Sequence, residues 1–266
     1  MIKVLVSGYL GRMGTQVVKA VTQSADMQVV AGFDRNCTAG SVLFNGEEIA
    51  LAFSDLEQAL LSTQPDVMVD FTVPTAVEAN LRIALPTGVD CVVGTTGLDR
   101  EALEELVGLA PEGACLFYAP NFTTGAVLMM HFAKIAACFF PDAEVIEFHH
   151  NGKADAPSGT AINTAQSIAE ERVKANLVSL SPGRETELVG REGARGASVQ
   201  GIPVHSIRSD GYVAHQEVVF GSPGQTLTIR HDSIDRSSYM PGVLLAIRSV
   251  RDYQGLVVGL ENLMRI

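Results

Sequence analysis

The first 34 residues carry the pattern that most limits how this chain can fold. A mostly apolar run, Ile2 to Ser7, ends at the turn Gly8-Tyr9-Leu10-Gly11-Arg12-Met13-Gly14, and a helical pattern follows it. A buried strand, a glycine turn and a helix in this order are typical of the first unit of a dinucleotide-binding fold. Asp34 ends a second strand 20 residues after Gly14, the spacing at which an acidic residue meets an adenosine ribose.

The turn alone is a weaker signal than its context. Leu10 stands where the pattern G-x-G-x-x-G has its second glycine, so an ordinary strand–helix turn without a ligand remains an alternative. Under the dinucleotide interpretation, Gly8 makes the tight turn, Gly11 lets the pyrophosphate approach and Gly14 lets helix and strand pack closely. We predict NADH or NADPH as cofactor. Asp34 suits the 2′-hydroxyl of NADH and Arg35 the 2′-phosphate of NADPH, so the preference between them stays open.

Strand and helix patterns alternate as far as about Phe122. The predicted strands are 28–33, 66–71, 91–93 and 116–118, and the predicted helices are 56–61, 74–85 and 99–109. Ser54 is the expected cap of the first of these helices. Repeated βα units predict a doubly wound parallel sheet with right-handed crossovers.

The pattern changes in the second half of the chain. A helix is predicted over 124–139, a strand over 144–148, and a further helix whose apolar face is Ile162, Ala165, Ile168, Ala169 and Val173. Residues 181–201 are rich in Gly, Glu and Arg and are expected to form an exposed excursion. Strands at 202–207, 216–220 and 226–231 then follow without helices between them, and a closing helix covers 241–250.

The predicted fold class is therefore α/β. It combines an N-terminal Rossmann-type doubly wound parallel sheet with a C-terminal α+β domain that has a mainly antiparallel open sheet. The predicted dinucleotide-binding domain is 1–121 with 235–266, and 122–234 forms the second domain.

Composition excludes several classes of function. The net charge is −11 and the pI is about 5.0, without a basic block, which argues against a nucleic-acid surface. No apolar helical run is long enough for a bilayer and no targeting segment is evident, so neither a membrane partner nor export is expected. The four cysteines, Cys37, Cys91, Cys115 and Cys138, are scattered, as in cytoplasmic proteins with reduced thiols. A cysteine nucleophile remains an alternative.

Three loops follow predicted strands and should meet at the carboxyl edge of the sheet, where such sheets bind ligands. They contribute small residues, hydroxyls and an amide, which favour a wall on the nicotinamide side of the cofactor. The loops are Phe71-Thr72, Gly94-Thr95-Thr96-Gly97 and Ala119-Pro120-Asn121-Phe122.

The stretch from Glu147 to Ala161 concentrates the chemistry. It reads Glu-Phe-His-His-Asn-Gly-Lys-Ala-Asp-Ala-Pro-Ser-Gly-Thr-Ala. Adjacent histidines on a strand point to opposite faces, so both reach one site only if the strand ends there. Pro157 keeps the next helix from starting earlier, Ser158 is a natural N-cap, and the amides of Gly159 and Thr160 can hold a carboxylate. Zinc is a rival interpretation, but no compact third and fourth ligand is found and no metal is predicted.

This stretch closely resembles the signature of dihydrodipicolinate reductases, the 4-hydroxy-tetrahydrodipicolinate reductases of the diaminopimelate route to lysine. The resemblance extends to Gly11-Arg12-Met13-Gly14, Asp70-Phe71-Thr72, Gly94-Thr95-Thr96-Gly97 and Asn121-Phe122. It implies an NAD(P)H-dependent oxidoreductase that uses NADH, NADPH or both. It also implies a small cyclic dicarboxylate substrate, and a homotetramer whose C-terminal domains bind substrate and pack their sheets together.

The resemblance also implies roles for individual residues. His149 matches the proton donor or acceptor, and Lys153 matches a second proton donor. Substrate contacts are implied for His150, Gly159 and Thr160, and Ser158, beside them, is predicted to belong to the same substrate site. Cofactor contacts are implied for Gly8, Tyr9, Leu10, Gly11, Arg12, Met13, Asp34, Arg35, Gly94, Thr95, Thr96, Ala119, Pro120, Asn121 and Phe122.

Two other classes of function remain open at this point. Another dehydrogenase of aspartate-family metabolism, for a semialdehyde or for homoserine, would share the cofactor half of the chain. A non-catalytic NAD(P)-binding sensor would keep the glycine turn but would have no need of the two histidines and Lys153.

Overall fold

The structure, a computed structural model, describes residues 1–38, 40–177, 193–264 and 266. The first part of the chain contains β1 (Ile2–Ser7), α1 (Arg12–Thr22), β2 (Met27–Phe33), β3 (Ser41–Phe44), β4 (Glu47–Phe53), α2 (Leu56–Thr63), β5 (Val67–Asp70), α3 (Pro74–Ala84), β6 (Asp90–Val93), α4 (Arg100–Val107) and β7 (Cys115–Tyr118). The second part contains α5 (Thr124–Ala137), β8 (Asp142–His149), α6 (Gly159–Lys174), β9 (Ala197–Val199), β10 (Ile202–Arg208), β11 (Ala214–Ser222) and β12 (Gln225–Ser233). The chain closes with α7 (Met240–Ser249), β13 (Gly255–Val258) and α8 (Glu261–Met264).

The described chain divides into two compact units. The first comprises residues 1–123 and 236–266, and the second comprises residues 124–235. The assignment of cofactor binding to the first unit, and of substrate binding and oligomerisation to the second, stays a prediction.

The first unit is built on an eight-stranded sheet in the order β13-β7-β6-β5-β1-β2-β4-β3. Its strand pairs are parallel except β3 with β4. This is the Rossmann-like sheet that the repeated βα units predict. The order reverses on either side of β1, which places the carboxyl ends of β1, β5, β6 and β7 along one edge, where such folds bind ligands.

Three strands of this sheet were not predicted. The β3–β4 hairpin turns at Asn45 and Gly46, which both have positive φ, 52° and 85°. Asn-Gly is a strong signal for such a turn, so the sequence contained the information for this hairpin. Strand β13 pairs with β7 and adds the outermost parallel strand. The predicted helix cap is also corrected: Asp55, not Ser54, accepts a hydrogen bond from the amide of Gln58 at the start of α2.

The second unit is built on a five-stranded sheet in the order β12-β11-β8-β10-β9. Its strand pairs are antiparallel apart from β8 with β10 among the described residues. Helices α5 and α6 cover one face, where Val145, Val218, Phe220 and Ile168 are fully buried. The predicted α+β character of this part is confirmed.

One prediction for α6 is wrong at its last turn. Val173 is 75% exposed, whereas Arg172 is 4% exposed and its Nη2 donates to the Phe140 carbonyl at 3.0 Å. A long arginine stem can fill an apolar gap when its polar end finds an acceptor, which periodicity alone does not reveal. Most of the predicted excursion over 181–201 lies outside the described residues, and its last part contains β9.

None of the helices in the described ranges is both long and apolar enough to cross a membrane.

Candidate active site

The strand β8 ends at His149, which is the first condition that the sequence set for the histidine pair. Glu147 and His149 are two residues apart on this strand, so their side chains share a face. His149 Nδ1 forms a short hydrogen bond with Glu147 Oε2. The Glu147 side chain is fully buried and the His149 side chain is 14% exposed, so the imidazole lies at the surface with a carboxylate beneath it.

Arg208 holds this carboxylate from the neighbouring strand. Its Nη1 donates to Glu147 Oε2 at 2.9 Å and its Nη2 to Oε1 at 2.8 Å, a forked pair of the kind that arginine and carboxylates favour. Burial alone would raise the pKa of Glu147, but hydrogen bonds from His149, Arg208 and Ser206 lower it from 4.5 to about 2. Glu147 is therefore an anion at neutral pH.

The same arginine connects the pair to Lys153. Arg208 Nη2 also donates to the backbone carbonyl of Asp155 at 2.7 Å. The Asp155 carboxylate forms an ion pair with Lys153 Nζ at 2.7 Å. Lys153 and His149 both help to lower the pKa of Asp155, with the Lys153 hydrogen bond as the largest cause. The structure thus brings the two predicted catalytic side chains into one charged cluster.

The start of α6 lies directly above the same carboxylate. Ser158 is the N-cap, and its Oγ accepts from the amide of Ala161 at 3.2 Å, as predicted. The Ser158 amide donates to Glu147 Oε1 at 3.3 Å. Gly159 and Thr160 occupy the first helical positions, whose amides have no partner within a helix by geometry. Their N–H groups and the helix dipole suit an anion such as a carboxylate.

His150 lies outside the strand. The chain turns at Asn151 and Gly152, and the amide of Lys153 returns to the His150 carbonyl at 3.1 Å. This turn is the break that the two histidines require. His150 is exposed, and its Nδ1 lies 3.3 Å from where a Cβ on Gly152 would stand. The site is therefore a strand exit that leads into the start of a helix, and anion binding there stays a prediction.

The predicted cofactor turn follows β1 in the first unit. Gly8 has φ +79°, and a Cβ there would lie 2.7 Å from the Phe71 carbonyl oxygen. A Cβ on Gly14 would lie 2.1 Å from the Gly8 carbonyl oxygen, so both positions need glycine. Gly11 is the N-cap of α1 and makes no side-chain cap, which leaves the first amides of this helix to a ligand. This arrangement fits a pyrophosphate.

The side chains of the turn point both inward and outward. Tyr9 is buried and its hydroxyl lies 3.2 Å from Cys37 Sγ, whereas Leu10 is 54% exposed and Arg12 is exposed. Met13 is half-buried. Leu10 and Arg12 therefore project to the surface beside the start of α1, and their predicted contact with the cofactor stays a prediction.

A buried carboxylate ties the neighbouring loops together. Asp70 at the end of β5 is fully buried. Its Oδ2 accepts from Ser7 Oγ at 2.8 Å and from Asn80 Nδ2 at 2.9 Å. Its Oδ1 accepts from the amide and hydroxyl of Thr72 at 3.1 and 2.7 Å, and from Thr95 Oγ1 at 2.7 Å. One side chain therefore anchors the residue before the glycine turn and two of the three predicted wall loops.

The wall itself is formed by aromatic packing. Phe71 and Phe122 have ring centroids 5.5 Å apart. A Cβ on Gly94 would lie 2.1 Å from the Phe71 ring, so Gly94 makes room for this ring. Ala119, Phe122 and Thr95 are buried and shape the wall from behind, whereas Pro120 and Thr96 are exposed. Asn121 Oδ1 accepts the Thr123 amide at 2.8 Å.

Asp34 and Arg35 follow β2, at the position expected for the adenosine ribose. Asp34 Oδ1 accepts the amide of Asn36 at 2.9 Å, which fixes the carboxylate in a tight turn. Arg35 is exposed. Both charges remain at the surface, so the geometry leaves the preference between NADH and NADPH as open as the sequence does.

The sequence did not single out two side chains of this cluster, Glu147 and Arg208. Glu147 carried a usable signal, because it stands two residues before His149 on a strand and must share its face. Arg208 carried none, since it is 61 residues from Glu147 and only the pairing of β10 with β8 brings them together. In the described ranges, no three His, Cys, Asp or Glu side chains are grouped as a metal ion would need.

Comparisons with known families cover nearly the whole chain. Residues 2–122 match the family described as "Dihydrodipicolinate reductase, N-terminus", and residues 125–264 match "Dihydrodipicolinate reductase, C-terminus". The 4-hydroxy-tetrahydrodipicolinate reductase of Enterococcus faecalis is 48% identical over 265 residues, which cover 99% of this chain and 100% of the relative. The enzyme of the same name from Moorella thermoacetica is also 48% identical, over 99% of this chain and 98% of its own.

Solved structures agree with these sequence matches. The dipicolinate-bound dihydrodipicolinate reductase from Paenisporosarcina sp. TG-14 superimposes with a TM-score of 0.85 at 43% identity, covering 98% of this chain and 99% of that one. An amine dehydrogenase from Mycobacterium smegmatis has a TM-score of 0.64 at 15% identity, over 96% and 94% of the two chains, and shares the fold alone.

Proposed function

The chain belongs to the dihydrodipicolinate reductase family, and we propose that the cluster around His149 and Lys153 is its catalytic site. The protein is an NAD(P)H-dependent oxidoreductase that reduces 4-hydroxy-tetrahydrodipicolinate to tetrahydrodipicolinate in the biosynthesis of diaminopimelate and lysine. The observation that carries this function is the match of both halves of the chain at 48% identity over 99% of its length.

The reaction replaces a hydroxyl group with hydrogen. One hydride and one proton enter, and the hydroxyl leaves as water. NAD(P)H supplies the hydride. The protein must therefore hold two carboxylates, provide a proton and keep the reacting carbon accessible to the nicotinamide face.

Each of these tasks has a candidate in the second unit. The free amides of Gly159 and Thr160 bind one carboxylate, with His150 and Ser158 beside them. Lys153 neutralises negative charge and serves as a second proton donor, and His149 delivers the proton to the reacting ring. The support for these roles is that His149 and the α6 start both contact the buried Glu147 carboxylate, and that Arg208 connects this carboxylate to Asp155, the partner of Lys153.

The first unit holds the cofactor in this proposal. The pyrophosphate lies against Gly8, Gly11 and the start of α1, and the adenosine ribose lies near Asp34 and Arg35. The nicotinamide lies against the wall of Phe71, Gly94, Thr95, Thr96, Ala119, Pro120, Asn121 and Phe122, with Tyr9, Leu10, Arg12 and Met13 completing the turn. Support comes from the glycine geometry and from the free N-terminal amides of α1.

A cysteine-dependent semialdehyde dehydrogenase is disfavoured by two of the thiols. Cys91 is fully buried, and burial raises its pKa well above the ordinary value. Burial also raises the pKa of Cys115 to about 12. A nucleophilic thiol needs a lowered pKa and access to substrate, which these two cysteines lack.

The decisive experiment follows NADH oxidation after freshly made product of dihydrodipicolinate synthase is added. Wild-type protein should consume NADH, and replacing His149 with Gln or Lys153 with Met should lower kcat by about 10²–10⁴-fold. NADH affinity, measured by fluorescence titration, should stay within about twofold, less than 0.5 kcal/mol. An equal loss of NADH affinity would contradict the assignment of these residues to proton transfer and substrate binding.

A homotetramer built through the second unit is also part of the proposal. The face of its sheet opposite α5 and α6 carries Ile146, Phe148, Val219 and Ile207, and Ile207 is 39% exposed. Replacing Ile146 with Asp should shift the mass measured by light scattering below that of a tetramer. Replacing exposed Thr228 on the same face with Ser is the matched control, because it keeps the hydroxyl, adds no charge and removes a single methyl group.

A cytoplasmic location completes the proposal. Cys37, Cys91, Cys115 and Cys138 are thiols and not disulfides, as expected in a reducing compartment. The reaction also consumes NAD(P)H, which the cytoplasm regenerates. Cell fractionation that placed the enzyme outside the cytoplasm would contradict this.

A further inference from the structure

Glu147 is held more firmly than a side chain needs to be for packing alone. Its carboxylate is fully buried, yet it accepts hydrogen bonds from three separate segments of the second unit. These are His149 on β8, both Nη atoms of Arg208 on β10, and the Ser158 amide at the start of α6. Burying a charged group costs free energy unless hydrogen bonds compensate for the lost solvation. The hydrogen bonds to Glu147 provide this compensation, and they fix the carboxylate in one position and one orientation.

The register of the sheet explains why these groups converge. Strands β8 and β10 are parallel, with Ser206 opposite Glu147 and Arg208 opposite His149. Residues opposite each other in the register share a face, so Arg208 projects on the same side as Glu147 and His149. The amide of Ser158, the N-cap of α6, completes the set of hydrogen-bond donors around the Glu147 carboxylate. These contacts fix the position of the Glu147 carboxylate, so the orientation of the His149 ring is set by the carboxylate and not the reverse.

This constraint decides which atom of His149 can react. An ionised carboxylate only accepts hydrogen bonds, so His149 Nδ1 must carry a hydrogen. The other ring nitrogen, Nε2, is then the lone-pair position of the neutral ring and the second N–H of the protonated ring. Since His149 is 14% exposed above a fully buried partner, Nε2 is the nitrogen left for a ligand.

We propose that Glu147, clamped by Arg208, is a positioning residue that fixes His149 in the Nδ1–H tautomer, so that Nε2 exchanges the proton with the substrate. This deepens the proposed function and rests on it. The carboxylate does not touch substrate in this assignment. It determines the ring orientation and tautomer on which proton delivery depends.

The test replaces Glu147 with Gln in the full-length chain and uses two measurements. The first is ¹⁵N-histidine NMR of the protein without ligands, which distinguishes the two neutral tautomers directly. Wild-type His149 should be the Nδ1–H tautomer. In the variant, the Gln carbonyl should face the Ser158 amide and Arg208 Nη2, which can only donate, so the Gln NH₂ group should donate to His149 Nδ1 and leave His149 as the Nε2–H tautomer. The second is steady-state kinetics, in which kcat should fall by about 10- to 100-fold, part of the 10²–10⁴-fold that a positioned proton donor contributes. KM for the dicarboxylate should change less than kcat.

A matched control lies on the same sheet. His215 Nδ1 pairs with Asp232 Oδ1 at 2.6 Å on strands β11 and β12, the same chemistry at an exposed carboxylate. Replacing Asp232 with Asn should alter the ¹⁵N signals of His215 and leave those of His149 in place. If Gln at position 147 prevents folding, Glu147→Asp keeps the charge, shortens the reach by one methylene, and is read by the same two measurements.

The outcomes separate the positioning role from others. A tautomer change together with a selective fall in kcat supports the proposal. An unchanged tautomer overturns it, whatever happens to kcat, because the loss would then be structural. A changed tautomer with wild-type kcat overturns it as well. If wild-type protein fails to oxidise NADH with the synthase product, the proposed function fails, while NMR of the ligand-free protein still decides whether Glu147 sets the tautomer.

Discussion

The buried network around Asp70 offers the sharpest test of how the first unit holds its cofactor. Asp70 accepts hydrogen bonds through both oxygens, from Ser7 and Asn80 on one side and from Thr72 and Thr95 on the other. The informative change is Asp70→Asn, which keeps the shape and removes one acceptor atom. If the NH₂ group of the new amide takes the Oδ1 position, it meets the Thr72 amide, a donor that cannot reverse. If it takes the Oδ2 position, it meets Asn80 Nδ2, and the Asn80 side-chain amide must flip before it can accept.

The expected cost follows from this donor–donor contact. One hydrogen bond to a charged acceptor, typically about 1.5–3 kcal/mol, is lost, and a buried donor is left unsatisfied at about 1–3 kcal/mol. The Ser7 and Thr95 hydroxyls can rotate and the Asn80 side-chain amide can flip, which recovers part of the loss. We therefore expect the free energy of unfolding to fall by about 2–4 kcal/mol. Because Ser7 precedes the glycine turn and Thr95 lies in the wall, NADH affinity should also fall, by about tenfold or 1.4 kcal/mol.

Urea denaturation gives the stability difference, and fluorescence titration gives the dissociation constant of NADH. Asp66→Asn is the matched control, because Asp66 Oδ2 accepts the Lys3 amide at 2.8 Å near the amino ends of β1 and β5. An asparagine oxygen can keep that bond, so this variant should lose less than about 1 kcal/mol and bind NADH normally. Wild-type stability and NADH affinity in Asp70→Asn would refute the reasoning.

Three further predictions concern single positions. Because the pKa of Glu147 is lowered from 4.5 to about 2, its carboxylate stabilises the fold by about 3 kcal/mol above pH 4.5, and this is lost as the pH falls towards 2. The free energy of unfolding, measured by urea denaturation, should therefore fall further between about pH 5 and pH 2 in the wild-type protein than in Glu147→Gln. Equal decreases in the two proteins would contradict this. In Gly159→Ala the new Cβ meets no atom within 4 Å, so the free energy of unfolding should stay the same or rise by about 0.4–1 kcal/mol. KM for the dicarboxylate should rise about tenfold. An unchanged KM would show that Gly159 is not part of the substrate site. Gly94→Ala places a Cβ 2.1 Å from the Phe71 ring, so the free energy of unfolding measured by thermal denaturation should fall by about 1–3 kcal/mol. NADH binding should also weaken. Normal NADH binding would show that the wall of Phe71, Gly94 and Phe122 is not needed to hold the cofactor.

Local patterns were sufficient for most of the first unit. The apolar runs, the glycine turn and the spacing to Asp34 predict parallel βα units because each of these signals acts within a few residues of the chain. The β3–β4 hairpin was missed although Asn45-Gly46 marks it, so that error belongs to the interpretation of the sequence. The last turn of α6 is different. Arg172 is buried because Phe140 offers it an acceptor, and periodicity carries no record of that partner.

For the candidate site, the sequence by itself determined the strand exit, the N-cap at Ser158 and the helix start that follows it. Those features depend on Gly152, Pro157 and Ser158, which act on their own neighbours in the chain. Only the tertiary structure decided what lies beneath His149. The parallel pairing of β10 with β8 brings Arg208 across 61 residues to Glu147, because a strand register fixes which side chains share a face at one level of the sheet. The sequence determined which groups can react, and the sheet register decided how the imidazole is held.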